Sequence, residues 1–506
     1  FKDDIITGYV DLASERAYVY KEGEASRIID LPPEMAEEEG TSRFAMLEKL
    51  ADFDDHLMEE LLEDIDPERE EIYALLQNDL REGLVTPVFL GSAENDNGVR
   101  RLLKALRHEV PEASVAAERN GFNATSGEPV VQILKTYMSA QGGKLSLGRI
   151  WSGEINDGDT LFAGRIGGLY RLQGGKSEKI TKAMPGDIVA FGRLDDVQTG
   201  DILMKGKTVA MPEDQVLAPV YSIALVPENR DEEVKLSAAL AKVLEEDNSL
   251  KAEHKQETQE LLLWGQGEIH LNVALDRMRN KYGISVKSRR PKVAYKEAIR
   301  KAAKQHARYK KQSGGHGQFG DVHIEIKPLP RGSGFNFEEK IVGGSVPKQY
   351  IPAVENGVKE YLMEGPLGFP VVDVSVTLFD GQFHSVDSSE NSFRSAARIA
   401  MSEGMPKCDP VLLEPIYKVE IAMPSEHTSR VNSIVSGRRG QILGFDARDG
   451  WDGWDMLVAM IPESEVHDLI VDLRSVTLGV GTYRSEFDHL QELTGQNADK
   501  VLQNRN

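Results

Sequence analysis

A single cysteine, Cys408, is the scarcest chemical resource in this 506-residue sequence. One thiol excludes a disulfide scaffold and any cysteine-rich metal centre, and it fits a reducing compartment. No run of about eighteen apolar residues occurs, so no membrane-spanning helix is expected. The opening FKDDIITGYV has neither the charged leader nor the apolar core of an export signal, and a cytoplasmic protein without a membrane partner is expected. Eleven histidines are scattered without an H-E-x-x-H or comparable pair, so no metal site is expected either. What is present is length, enough for about three to five domains.

The net charge of −22 argues on average against a polyanionic partner, but the charge is polarised. Residues 34–82 hold eighteen Asp/Glu against four Lys/Arg, and residues 277–311 hold fourteen Lys/Arg against one acid, Glu297. A solvated face is the ordinary reading of the first block. The second implies repulsion unless something polyanionic neutralises it, and a phosphate backbone is the obvious candidate.

Residues 43–82 read as two acidic helices broken at Pro67, with Phe44, Leu47, Leu50, Leu57, Leu61 and Leu62 near helical spacing. A buried strand at 87–90, a Gly/Asn/Asp loop and a helix bearing Val99, Leu102, Leu103 and Leu106 then make half of an α/β layer. From 130 to about 207, short β-segments broken by Gly and Asp predict a small closed barrel. Residues 218–290 follow the strand, helix, strand, strand, helix, strand order of a ferredoxin-like domain, and the same order returns from Ile416 onward. Between them lies a further α/β region with an amphipathic helix marked by Ile351, Val354, Val358 and Leu362.

Several motifs invite chemistry that their surroundings deny. Gly315, Gly317 and Gly320 in 312-QSGGHGQFGDVH-323 spell G-x-G-x-x-G, and Glu338 and Glu339 lie near the acidic spacing of a dinucleotide site. That site needs a helix after the glycines to hold the pyrophosphate, whereas Val322, Ile324 and Ile326 alternate with polar residues as a half-buried strand. Gly175-Lys176-Ser177 resembles the end of a Walker A loop, but Tyr170 stands where its first glycine belongs, and a hairpin turn is expected. His384-Ser385-Val386-Asp387-Ser388 suggests a triad, yet neighbours in one loop seldom meet as nucleophile, base and orienter. A polar loop capping a helix near Ser389 is the preferred reading, and no catalytic residue is assigned. On the residues alone, the glycine-rich turn with Lys310, Lys311, His316, Gln318 and Phe319 fits a plain hairpin and an RNA-contacting tip equally.

Longer stretches resemble one known family. KQSGGHGQFGDV, GGSVPKQYIPAVENGVKE, GPLGFPVVDVSVTLFDGQFHSVDSSENSF and PVLLEPIYKVEI are similar to the protruding fourth domain of bacterial elongation factor G and its junctions. GRIWSGEINDGD and PGDIVAFGRLDDVQTGDIL resemble its barrel, GQGEIHLNVALDRM its third domain, and GRRGQILG and LRSVTLGVGTY its fifth. The resemblance spans nearly the whole chain. It implies a multidomain α/β and β fold: the end of a P-loop GTPase G domain with an acidic helical insertion (1–122), a β-barrel (123–212), a ferredoxin-like domain (213–290), a tRNA-mimicking tip domain (291–413), a second ferredoxin-like domain (414–490) and a tail (491–506).

The resemblance also implies a function, that of a ribosome-dependent GTPase that drives translocation of tRNA and messenger RNA and works as a monomer. The tip would comprise Gly314, Gly315, His316, Gly317, Gln318 and Phe319 with His384 and Asp387, facing the codon–anticodon duplex. Arg438, Arg439 and Arg474 become candidates for ribosomal RNA phosphates, with surface ion pairing as their ordinary alternative. The acidic insertion would meet a ribosomal stalk protein. Ser92 and Ala93 resemble the last guanine-recognition loop of a site for GTP or GDP with Mg²⁺. Yet G-x-x-x-x-G-K-[ST], D-x-x-G and N-K-x-D are absent from these residues, so this chain alone is expected to bind no nucleotide and to hydrolyse no GTP. A sequence that begins inside the G domain is the expected explanation. His316 stands where the main factors usually carry arginine, Phe319 where tyrosine is common and Asp321 where histidine is frequent, which points to the elongation-factor-G-like paralogue. The alternatives are a tetracycline-resistance type ribosomal protection protein and a non-catalytic ribosome- or RNA-binding protein.

Overall fold

The computed structural model describes residues 6–21, 23–138, 143–161, 164–174, 176–204, 207–209, 218–227, 233–312 and 317–504. The chain divides into two compact units, Phe1–Pro212 and Glu213–Asn506.

The first unit opens with an antiparallel meander, Gly8–Asp11, Arg16–Val19 and Arg27–Ile29, followed by the acidic helices. These number three, Ala36–Ala51, Asp55–Leu62 and Arg69–Glu82, where two were expected. Asp54 is the cause: its backbone is extended and its carboxylate accepts the Leu57 N–H at 2.9 Å, which starts a new helix before Pro67 is reached. Leu47, Leu50 and Leu57 are buried as their spacing implies, but the break turns Phe44 and Leu62 outward. Arg43 occupies the inner position instead and donates to the Leu12 carbonyl at 2.7 Å.

The buried strand expected at 87–90 does not form. Among the described residues no strand pairs with it, so its backbone has no ladder to join, and Val88 and Leu90 are 82% and 78% exposed. The helix Val99–His108 forms as expected, although Leu102, Leu103 and Leu106 remain exposed.

The β-rich part is an antiparallel seven-stranded sheet curled around Val131, Ile133, Ile150, Leu169, Val189, Phe191 and Leu203. Among the described residues its ladder runs as an open path from Lys176–Ile180 to Lys207–Val209. Lys176 pairs with Gln173 across a hairpin, which is where the Walker-like triplet falls; Gly175 itself lies outside the described residues.

The second unit contains two sheets with the same topology. Strands Lys251–Lys255, Glu260–Gly265, Tyr221–Pro227 and Val286–Arg289 are neighbours in that order, all antiparallel, which is the ferredoxin-like arrangement. The last part repeats it with Gln441–Ala447, Trp454–Pro462, the long strand Pro410–Pro424 and Thr482–Leu493. The first segment of Pro410–Pro424 also pairs with Lys296–Ile299, so one continuous strand runs from the tip region into the final sheet. The helix expected at 463–473 breaks at His467 and Asp468, leaving Leu469, Ile470 and Leu473 in the core.

The tip region is a four-stranded sheet covered on one face by two helices. Its elements are β1 (Ala303–Lys311), β2 (Gln318–Pro328), β3 (Phe335–Glu339), α1 (Ile351–Leu362), β4 (Val374–Gln382) and α2 (Glu390–Gly404). The strand order is β1-β2-β4-β3, with only β3 and β4 parallel. Val322, Ile324 and Ile326 alternate into the core against Val354 and Val358 of α1 and Phe393, Ala396 and Ala397 of α2. Pro352 in the first turn of α1 costs no hydrogen bond there. Gly320, the last glycine of the motif, lies inside β2, so a strand and not a helix follows it.

The candidate RNA-contacting tip

Register decides which loops meet. β1 and β2 pair from Ala303 opposite Ile326 to Lys311 opposite Gln318, which puts Gln312 and Gly317 at the open end of the ladder. β4 runs antiparallel to β2, with Gln382 opposite Asp321, so β4 ends beside the start of β2. The segment 383–389 therefore leaves β4 next to the glycine-rich turn. Two stretches far apart in sequence become one surface.

Asp387 stitches them together. Its Oδ1 accepts the Gly317 N–H at 3.0 Å, its backbone carbonyl accepts the Phe319 N–H at 2.8 Å, and its Oδ2 lies 3.3 Å from His384 Nδ1. Ser388 donates its hydroxyl to the Phe319 carbonyl at 3.0 Å and accepts the His384 N–H at 2.8 Å. A side chain at Gly317 would displace the Asp387 carboxylate, since a Cβ would stand 2.9 Å from Asp387 Cγ. Gly320 is equally constrained, because a Cβ would lie 2.6 Å from the Ser392 carbonyl in the first turn of α2. Gly317 and Gly320 thus serve close approach to the 383–389 segment and to α2.

The expected cap is present: Ser389 begins α2 by accepting the Ser392 N–H. His384 Nδ1 faces the Val386 and Asp387 amides at 3.3 and 3.2 Å, so this nitrogen is engaged within its own loop and no hydroxyl rests on it. The segment is a stitched loop with no nucleophile activated by a base.

Gln318 is exposed, and its Oε1 accepts the Tyr309 hydroxyl at 3.0 Å, which leaves the amide nitrogen to donate outward. Phe319 lies under the Arg308 guanidinium at 5.8 Å and 6.4 Å from the His384 ring. Gly314, Gly315 and His316 lie outside the described residues. Tyr309 and Arg308 were not singled out in the sequence, and Ser388 only as a member of the triad-like segment; the cross-strand register that brings them to the tip is the signal that was missing.

The basic block needs correction. Arg277, Lys281, Arg289, Arg290, Arg300, Lys301, Lys304 and Arg308, eight of the fourteen cations, each have a carboxylate within 4.0 Å. Those acids, including Asp247, Glu260 and Glu492, are remote in sequence but adjacent in space, so the block needs no external polyanion as a whole. Lys310 and Lys311 differ: exposed beside the turn, they have no carboxylate partner among the described residues. Glu297, the lone acid of the block, is buried and its carboxylate accepts the Leu367 and Phe369 amides at 3.1 and 2.6 Å.

The three arginines of the last domain are engaged internally. Arg438 donates to the Glu465 carbonyl at 2.5 Å and to Asp472. Arg439 holds Glu414 with two bonds of 2.8 and 3.0 Å, and although burial works against its charge, Glu414 and Glu465 hold its pKa above the ordinary value. Arg474 donates to the Gln266 carbonyl, and burial lowers its pKa. For each, the ion-pairing or interior-bonding alternative describes the observed state, and a phosphate would have to displace those partners. In the other unit, Ser92 and Asn97 exchange backbone hydrogen bonds of 2.9 and 3.0 Å, which closes the loop carrying Ala93.

Comparison with known proteins gives one consistent result. Descriptions of elongation factor G match in chain order: domain 2 over residues 128–206, domain III over 216–290, domain IV over 291–409 and the C-terminus over 411–501. A Synechocystis sp. protein described as "Elongation factor G-like protein" is 52% identical over 494 residues, which cover 97% of this chain and 74% of that protein. A crystal structure from Thermus thermophilus matches at a TM-score of 0.73 and 34% identity, covering 100% of this chain and 76% of that one. With that identity across nearly its whole length, and with the domain matches in order, the chain belongs to the elongation factor G family.

Proposed function

We propose that this chain is the larger part of a ribosome-dependent translation GTPase that promotes movement of tRNA and messenger RNA, with the 312–319 and 383–389 segments as its probe of paired RNA in the decoding region. The observation that carries the reading is the Asp387 stitch, which makes one preorganised surface of two loops separated by 70 residues at Gly317 and Asp387. Lys310 and Lys311 supply unneutralised charge for phosphates, and the outward amide of Gln318 supplies a donor for a base or ribose edge. Gly314, Gly315 and Gly317 would admit close backbone approach, with His316 and Phe319 available for stacking and His384 and Asp387 alongside. Arg438, Arg439 and Arg474 would reach ribosomal RNA only by exchanging their present partners.

The family implies GTP with Mg²⁺, and the residues present do not suffice to hold them. Ser92 and Ala93 sit in a loop closed by the Ser92–Asn97 pair, from which backbone amides could face a guanine. No phosphate cradle or magnesium-binding motif accompanies that loop, and hydrolysis would need groups from outside these 506 residues. The acidic helices at 36–82 would meet a basic ribosomal stalk protein in a salt-sensitive encounter.

In the full-length protein, removing residues 314–320 is expected to impair translocation while ribosome-stimulated GTP hydrolysis persists, because tip and nucleotide site belong to different domains. Equal loss of both activities would count against the tip role. Failure of the full-length protein to sediment with ribosomes in the presence of a GTP analogue would remove the whole reading.

A further inference from the structure

The outer face of the β1–β2 hairpin carries a cluster that the tip reading does not use. His306 and His323 are direct cross-strand partners, and Asp321 lies two residues from His323 on the same face, opposite Arg308. The sequence offers no paired-histidine motif, and the strand register brings together two histidines 17 positions apart. Asp321 is fully buried, whereas the His306 and His323 side chains are 46% and 32% exposed. Asp321 Oδ2 accepts from Arg308 Nε at 2.7 Å and lies 3.0 Å from His306 Nε2. Its Oδ1 is different: it is buried, has no hydrogen-bond partner, and lies 3.7 Å from His323 Nε2.

An ordinary ion-pair cluster satisfies Oδ2 but gives Oδ1 only the 3.7 Å contact with His323, beyond hydrogen-bond reach, and a buried carboxylate oxygen without a donor is costly. We propose that His306, His323 and Asp321 form a binding site for a divalent transition-metal ion of the zinc class. The three donor atoms all lie within 4.8 Å of one another. Bonds of about 2.0–2.2 Å in a tetrahedral site put neighbouring donors roughly 3.3 Å apart, and His323 Nε2, 3.7 Å from Asp321 Oδ1, is within a small side-chain adjustment of that separation. Two imidazoles and a carboxylate suit zinc, cobalt or nickel rather than magnesium or calcium. Arg308 would keep Oδ2 in place while Oδ1 ligates, the orienting role that outer groups play around metal-bound carboxylates.

One rearrangement is required. The two imidazole rings are stacked, with centroids 4.0 Å apart and planes 11° from parallel, so they must fan apart for both in-plane lone pairs to meet one ion. Their exposure on the solvent face of the sheet leaves room for this. The fourth coordination position would open to solvent, and the ion would cross-link β1 to β2 behind the tip.

The test is titration of the purified chain with Zn²⁺ by calorimetry and with Co²⁺ by its visible absorption. A further histidine and acid group, His56, Glu60 and Glu71, lies in the acidic helices and needs its own control. Expected is a Co²⁺ band of tetrahedral type and one Zn²⁺ equivalent that weakens by at least about tenfold in His323→Ala. His306→Ala should do the same, and His56→Ala should leave that equivalent intact. His323→Ala is the decisive variant, because that side chain is partly exposed and its loss leaves the Arg308–Asp321 pair in place. Identical titrations of the wild type and a His306→Ala/His323→Ala double variant would overturn the site, as would binding that disappears only in His56→Ala.

Discussion

Replacing Asp387 by alanine separates the stitch from the fold. The substitution removes the acceptor of the Gly317 N–H at 3.0 Å. It spares the backbone bond from the Phe319 N–H to the residue 387 carbonyl at 2.8 Å. Losing a bond to a charged acceptor costs about 1–2 kcal/mol, or roughly a 5- to 30-fold shift in a local opening equilibrium. Amide hydrogen exchange should therefore quicken at Gly317 by roughly 5- to 30-fold, while Val322 and Ile324 in the middle of β2 keep their protection. Asp387→Asn retains a side-chain oxygen for Gly317 and should change exchange far less. Unchanged exchange at Gly317 in Asp387→Ala, or loss of protection throughout β2, would refute the stitch as described.

Glu297→Ala should lower the thermal midpoint by leaving the Leu367 and Phe369 amides without their acceptor, at about 2–4 kcal/mol, and an unchanged midpoint would show those bonds to be dispensable. Gly320→Ala should cost about 1–3 kcal/mol, because its Cβ would meet backbone of α2 that cannot swing aside; wild-type thermal stability would contradict the contact. Asp247 supplies a pH test: burial alone would raise its pKa, but bonds from Ser249 and His270 outweigh burial and hold it below the ordinary carboxylate value. A depressed folded pKa means that the stabilisation is fully present above the unfolded value of about 3.9 and fades as pH falls through the lower folded value. The urea midpoint of Asp247→Asn should thus fall less steeply than wild type on acidification below about pH 4, and parallel curves would sink the assignment.

Legibility in the sequence followed how local each cause was. The β2 alternation, the α1 stripe at Val354 and Val358 and the Ser389 cap depend on neighbours within a turn or a strand, and each appears where its spacing puts it. Asp54 and the His467–Asp468 break were harder, because apolar periodicity continues through a cap that splits a helix. The 87–90 segment failed for a different reason: an apolar run has strand chemistry, but a strand needs a partner to pair with. The basic block misled because its counter-charges are contributed by distant strands and helices. At the tip, Gln318, Phe319, His384 and Asp387 came from family resemblance, while Tyr309, Ser388 and the His306–His323 pair required the register itself.

The sole cysteine makes the central claim directly measurable. Cys408 is buried, so once any thiols outside these 506 residues are replaced, an iron chelate attached to Gln318→Cys in the full-length protein would be confined to the tip. Bound to ribosomes with a GTP analogue, that probe should cleave small-subunit RNA of the decoding region. Cleavage confined to other regions, with the protein demonstrably bound, would contradict the role given to the two-loop tip.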